Sequence, residues 1–228
     1  MNSDHNTSDD WEALYQKGLG APRYPNGHVV RWLFGNFPRQ KSADITLLDM
    51  GCGIGRHAMM MRREGFCVTA TDYSRSAIEQ ATIWAKSDRL DLDFQVAPAT
   101  VQPFPDEAFD GILCYGVLYY LAPAEFAEAV KEIYRLLKPG GKTFVMVKND
   151  RDIRKTKGEE TAPYCYKIIN PDKGQPWHNE AGMALTLLPK SEVIKYFQDF
   201  SALRIEEITS TLANGKYREA AWLIYAEK

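Results

Sequence analysis

The feature that most constrains this chain is a short apolar run that ends in an acid and turns at once into alternating glycines: Leu47-Leu48-Asp49-Met50-Gly51-Cys52-Gly53-Ile54-Gly55. Glycines so spaced let a backbone come close to a bound molecule and take angles that other residues avoid. From residue 45 onward, short apolar runs alternate with amphipathic stretches, the pattern of βα units around a parallel sheet. Five runs are predicted strands: Ile45 to Asp49, Phe66 to Thr71, Leu92 to Val96, Phe109 to Tyr115 and Thr143 to Val147. Between them, helices are predicted over about residues 55–64 and 74–87, and again from Pro123, with Phe126, Val130, Ile133 and Leu137 on one face and Pro139-Gly140-Gly141 as its stop.

Ahead of this core, Ser8, Asp9 and Asp10 offer caps for a helix carrying Trp11, Leu14 and Tyr15, which Gly18 and Gly20 stop. Asn26 caps a second helix that runs toward Pro38. Behind the core, residues 149–182 are rich in Lys, Glu, Gly, Pro and Tyr and show little periodicity, which reads as an insertion forming a lid. A last helix around Ser191 to Phe200 leads to a strand over Ala202 to Leu212, and Asn214-Gly215 is a two-residue hairpin signal into Lys216 to Ala226. The chain is read as a single domain: a helical cap over 1–44, a core over 45–148, the insertion over 149–182, and a helix and hairpin over 183–228.

Composition limits the function classes. Of 228 residues, 45% are hydrophobic and 25% charged, which is globular usage. Lys and Arg total 28 against 30 Asp and Glu, so no positive field exists to hold a polyphosphate and a nucleic-acid partner is disfavoured. The first ten residues hold no apolar run of the signal-peptide kind, and no run is long enough to cross a bilayer. The expectation is a cytoplasmic protein that needs no membrane. Cys52, Cys67, Cys114 and Cys165 lie far apart without a Cys-x-x-Cys pair, so neither a metal site nor a redox motif is expected, and mostly buried thiols are.

The glycine spacing also bears on the ligand. A dinucleotide site uses Gly-x-Gly-x-x-Gly with a pyrophosphate at the helix start, whereas here the third glycine comes one residue early. The second run ends Thr69-Ala70-Thr71-Asp72, placing a carboxylate where it can accept both hydroxyls of a ribose; the plainer role for Asp72 is a helix cap.

With these pieces the sequence resembles the class I S-adenosylmethionine-dependent methyltransferases of the small-molecule type. Asp49 to Gly55 resembles the family's first motif, and Asp72 sits at its ribose acid. Pro103-Phe104-Pro105-Asp106-Glu107-Ala108-Phe109-Asp110 resembles the approach to its fourth strand, and Arg135-Leu136-Leu137-Lys138-Pro139-Gly140-Gly141 the turn before its fifth. The resemblance covers roughly residues 45–148. It implies an α/β, Rossmann-like doubly wound sheet of seven strands in the order 3-2-1-4-5-7-6, with strand seven antiparallel. S-adenosyl-L-methionine is the implied cofactor. Asp49, Gly51, Cys52 and Gly53 would lie at its methionine part, Asp72 at the ribose and Tyr73 beside the adenine. Where the family often has Gly-Asp-Ala after the third strand this chain has Ala97-Pro98-Ala99, so adenine recognition is expected from the backbone near Ala99 and Thr100.

Other residues keep two readings. Arg56 and His57 either reach a carboxylate or sit on a solvated first turn. Tyr115 and Tyr119, at the end of the fourth strand, either contact ligand or pack in the core. Methyl transfer needs a general base only for some acceptors; His178 is the candidate, against the plain reading of a surface histidine. Tyr15 and Tyr24 before the first strand, with Tyr164 in the insertion, are expected to enclose a small acceptor, unless such aromatics pack on a sheet edge or in a homodimer contact. The expected function is methyl transfer to an O or N atom of a small metabolite. The competing readings are a nicotinamide-dependent oxidoreductase and a non-catalytic S-adenosylmethionine-binding domain.

Overall fold

A computed structural model describes residues 7–19, 22–169 and 173–228. Two helices come first, α1 (Thr7–Gln16) and α2 (Gly27–Asn36). The core follows as β1 (Thr46–Met50), α3 (Arg56–Arg63), β2 (Cys67–Asp72), α4 (Arg75–Ser87), β3 (Asp93–Val96), β4 (Phe109–Tyr115), α5 (Pro123–Leu136) and β5 (Leu137–Lys148). The insertion contains α6 (Ile153–Lys157), β6 (Gly158–Ala162) and β7 (Cys165–Ile168), its sheet is completed just beyond residue 182 by β8 (Ala184–Thr186), and the chain continues through α7 (Lys190–Tyr196), β9 (Ala202–Leu212) and β10 (Tyr217–Glu227).

Seven strands form one sheet in the order β3-β2-β1-β4-β5-β10-β9, parallel from β3 through β5, with β10 antiparallel to both its neighbours. With the insertion set aside, this is the expected 3-2-1-4-5-7-6 arrangement. The central strands are apolar on both faces because helices cover both: Leu47, Leu48 and Met50 of β1 and Ile112, Leu113 and Cys114 of β4 are all buried. On α5 the stripe Phe126, Val130 and Ile133 faces the sheet, and Glu125 reaches back to accept from the Ala122 N–H at the helix start. Asn26 caps α2 as expected, accepting from the His28 N–H.

Several local expectations change. Helix α1 begins at Thr7, so Ser8, Asp9 and Asp10 lie within its first turn; Gly20 lies outside the described residues. The Pro139-Gly140-Gly141 turn falls inside β5 rather than ahead of it, because α5 already stops at Leu136. There the β4–β5 register shifts: Phe109 pairs with Leu137, but Gly111 pairs with Lys142. The extra residues of β5 turn outward, and the Gly140 N–H donates to the Lys228 carbonyl. Asn214-Gly215 does make the hairpin turn, both residues at positive φ with the Lys216 N–H donating to Ala213 O; the ladder stops at Leu212–Tyr217 because Ala213 also has positive φ. Cys67 is exposed, and the other three cysteines are buried.

The largest departure is the insertion. It is a three-stranded antiparallel sheet, β6-β7-β8, built from strands of three to five residues, too short for a period to be read from sequence. Its Trp177 is fully buried, edge-on to Tyr217 of β10, and Arg154 lies over the indole. That aromatic therefore packs against the sheet. Burial of this size predicts that Trp177→Ala loses about 3–5 kcal/mol of stability. Thermal and urea unfolding would show a large drop in midpoint, and an unchanged midpoint would contradict the packing.

Candidate active site

The order of the sheet reverses between β1 and β4, and a ligand crevice forms outside the strand ends at such a point. Backbone geometry shapes it. Gly51 and Gly53 have φ of 73° and 55°, in the left-handed region. The N–H groups of Gly51 and Cys52 donate to Thr71 O at 2.7 and 2.9 Å, pinning the turn to the end of β2. A Cβ on Gly51 would stand 2.2 Å from Val117 Cγ2, and one on Gly53 would stand 2.7 Å from the Tyr15 hydroxyl.

Asp72 ties the turn to the next helix. Its Oδ2 accepts from the Gly53 N–H at 2.8 Å and its Oδ1 from the Ser74 N–H at 2.9 Å. Each oxygen keeps a further lone pair for a ligand hydroxyl. Burial raises the Asp72 carboxyl to about 6, against the pull of its two backbone donors. Asp49 lies beneath the turn, wholly buried, and accepts from the Ala58 N–H in the first turn of α3 at 3.0 Å; burial raises it to about 7.

The cleft has a volume of about 230 Å³. One wall is the glycine turn with Asp72 and Tyr73, and another is the stretch after β4, Tyr115 to Val117 with Tyr119 and Tyr120. Arg56 and His57 line it as well. Arg56 Nη1 donates to Tyr24 O, and its guanidinium sits over the Tyr115 ring. His57 is buried, its Nε2 accepts the Asn26 N–H, and burial beside Arg56 lowers it to about 3, so the ring is neutral.

Helix α1 closes the cleft from above. Trp11 and Tyr15 line it, Trp11 packs edge-on to Tyr120, and Tyr15 is pressed against Gly53. Its anchor is Glu12, which accepts from the Ser74 hydroxyl at 2.5 Å and from the hydroxyl and N–H of Ser76 at the start of α4. The Ser74 and Ser76 hydroxyls hold the Glu12 carboxyl down at about 2. Gln80 adds a bond to Tyr15 O at 2.7 Å.

The structure thus brings Tyr15, Gly51, Cys52, Gly53, Asp72, Tyr73, Tyr115 and Tyr119 to one cleft. Other candidates lie elsewhere. His178 is exposed on a short turn, Pro176–Glu180, and does not line the cleft. Tyr24 is 85% exposed, and Tyr164 sits at the exposed tip between β6 and β7 with φ of 64°. Ala99 packs in the core, and neither it nor Thr100 reaches the cleft wall. Among the described residues, α1 covers the cleft and none of 149–182 lines it. Sequence reasoning missed Glu12, whose serine partners lie 62 and 64 positions away, and Tyr120, next in sequence to Tyr119.

A doubly wound sheet of this order, with a glycine turn after β1 and an acid closing β2, defines the class I methyltransferase fold. Residues 48–145, somewhat under half of the chain, match a family model described as a methyltransferase domain, and the sheet order is that of the class I methyltransferase fold. A ubiquinone biosynthesis O-methyltransferase of Caulobacter vibrioides is 39% identical over 109 residues, 46% of this chain and 41% of that protein. A demethylmenaquinone methyltransferase of Thermus thermophilus is 31% identical over 143 residues, 55% of this chain and 61% of that protein. The aligned stretch thus spans under two thirds of both curated relatives. A solved S-adenosylmethionine-dependent methyltransferase from Methanosarcina mazei superimposes with a TM-score of 0.65 at 22% identity, covering 90% of this chain and 98% of that one. No helix of the described residues is long and apolar enough to cross a membrane.

The Glu12 anchor yields a test independent of any ligand. Glu12→Ala removes the acceptor of three hydrogen bonds from Ser74 and Ser76 and of one from Gln16 within α1, so amide exchange across residues 7–16 should quicken roughly tenfold or more while exchange in β1 and β4 stays unchanged. Equal exchange in the two proteins would show that α1 is held by its aromatic contacts instead.

Proposed function

We propose that the protein transfers a methyl group from S-adenosylmethionine to an oxygen or nitrogen atom of a small metabolite. The observation that carries this reading is Asp72: a buried carboxylate at the end of β2, held by two backbone donors and facing a cleft, with lone pairs left for two ribose hydroxyls. The glycine turn fits the same ligand, since the space at Gly53 that a Cβ would fill borders the cleft. When bound, the donor would supply an activated methyl on a sulfonium: the S–CH3 bond would break as an O–CH3 or N–CH3 bond forms, leaving S-adenosylhomocysteine and releasing the acceptor's O–H or N–H proton.

The chain's own residues then align and shield. Arg56 is the cation on the cleft wall and suits the carboxylate of the methionine part. Trp11 and Tyr15 on α1 keep water from the reacting atoms, which is most of what an in-line displacement asks of a protein. His57 is not the base: its Nε2 lone pair is taken by the Asn26 N–H and its proton affinity is low. His178 stands away from the cleft.

Two measurements test the cofactor assignment. Asp72→Ala should weaken S-adenosylhomocysteine binding roughly ten- to a hundredfold in calorimetry, the value of hydrogen bonds to a charged acceptor; unaltered affinity would refute the ribose contact. Binding should also depend on pH. Ribose hydroxyls donate to the ionised carboxylate, whose proton affinity is raised to about 6. Affinity is then full above that pH and falls as pH drops through it, by roughly tenfold one unit below. Asp72→Asn should abolish this slope, and a wild-type affinity flat from pH 7.5 to 5 would count against the assignment.

A further inference from the structure

Beyond the cofactor end, the cleft is walled by five aromatic rings: Trp11, Tyr15, Tyr115, Tyr119 and Tyr120. Two of them belong to a hydrogen-bond chain whose direction is fixed from outside the cleft. Arg154, almost wholly buried, grips Glu180 with two nitrogens, Nε to Oε2 at 2.5 Å and Nη2 to Oε1 at 3.1 Å. A guanidinium only donates, so Glu180 is an ionised carboxylate that only accepts. Asp152 and Glu219 hold Arg154 from its other side, each 3.0 Å from Nη1, and Lys148 pairs with both.

The Tyr120 hydroxyl lies 3.1 Å from Glu180 Oε1 and must give its proton there. The Tyr119 hydroxyl, 3.1 Å from that of Tyr120, donates in turn to Tyr120. Both protons thus point toward the insertion. While it donates to Tyr120, the Tyr119 oxygen has only lone pairs left, so the chain as built offers a ligand an acceptor. The Tyr119 ring lies 4.2 Å from that of Tyr120, and Trp11 packs edge-on to Tyr120.

We propose that the Tyr119–Tyr120–Glu180 chain, set by Arg154, selects as methyl acceptor a planar aromatic molecule that presents a hydroxyl or N–H to the Tyr119 oxygen. This rests on the methyl-transfer reading and narrows its acceptor. Tyr119 is the specificity contact, and Glu180 and Arg154 are positioning residues that act through it. A carbonyl or ether at the same place would meet an acceptor and be rejected, since a buried polar pair without a proton between them is costly.

The test uses the full chain saturated with S-adenosylhomocysteine, titrated with 4-fluorophenol and with 4-fluorotoluene while fluorine resonances are followed. The two probes have similar shape, and the methyl compound is the more apolar, so burial alone favours it. The proposal expects the phenol to bind about tenfold more tightly, and expects that preference to vanish in Tyr119→Phe while affinity for S-adenosylhomocysteine is unchanged. Glu180→Gln, whose amide can donate to Tyr120, should lower the preference without removing it. A structural loss would weaken both probes equally and leave their ratio as it was. Equal or tighter binding of 4-fluorotoluene, no binding of either probe, or a preference that survives Tyr119→Phe overturns the proposal with the cofactor reading intact. A chain that does not bind S-adenosylhomocysteine overturns both.

Discussion

The site depends on one carboxylate accepting from two backbone amides. Asp72 joins the end of β2 to the glycine turn after β1 through Gly53 and to the start of α4 through Ser74. Neither bond works without the other features. The Gly53 N–H points at Asp72 only because the turn takes left-handed angles, and Ser74 is in place because α4 begins there, with its own side chain capping Ala77. Glu12 then uses the outer side of the same helix start, so α1 is fixed to the element that follows Asp72. Burial sets the Asp72 carboxyl close to neutrality, which costs stability in the ionised form and makes the site sensitive to pH.

What could be read from sequence, and what could not, divides along range. The glycine turn, Asp72, the stripe on α5 and the Asn214-Gly215 turn are local patterns in which each residue's neighbours in sequence are its neighbours in space. Their places follow from period and turn chemistry. The cap role and the ribose role of Asp72 were alternatives in sequence, yet one carboxylate has lone pairs for both: it binds Ser74 and still faces the cleft. Glu12, Tyr120 and Glu180 take their roles from partners 26 to 64 positions away, and no spacing rule connects them. The aromatics of the insertion misled for a definite reason. Trp177 marks burial, but sequence does not say whether the surface it covers belongs to a cleft or to a strand; Tyr217 of β10 is the answer.

The buried ion cluster explains why an insertion that lines no part of the cleft can still bear on it. Arg154, Asp152 and Glu180 are almost fully buried, and a buried charge left without its partner is strongly destabilising. The cluster reaches β10 as well, through the Asp152 bond to the Ala220 N–H and the Glu219 carboxylate. A charge array of this kind adds little net stability over apolar packing. Its contribution is direction: it allows one arrangement of protons on the tyrosines above it.

The place of β10 has a consequence for how the molecule comes into being. It is an interior strand, hydrogen-bonded to β5 on one side and β9 on the other, although β9 precedes it in the chain. During synthesis, β5 emerges about seventy residues before β10 can cover it. Through that interval the parallel half of the sheet, complete with its glycine turn, has an open edge of unpaired backbone carrying Phe144 and Val145, the kind of edge that recruits foreign strands. The register shift at Pro139-Gly140-Gly141 breaks the regular edge near its start.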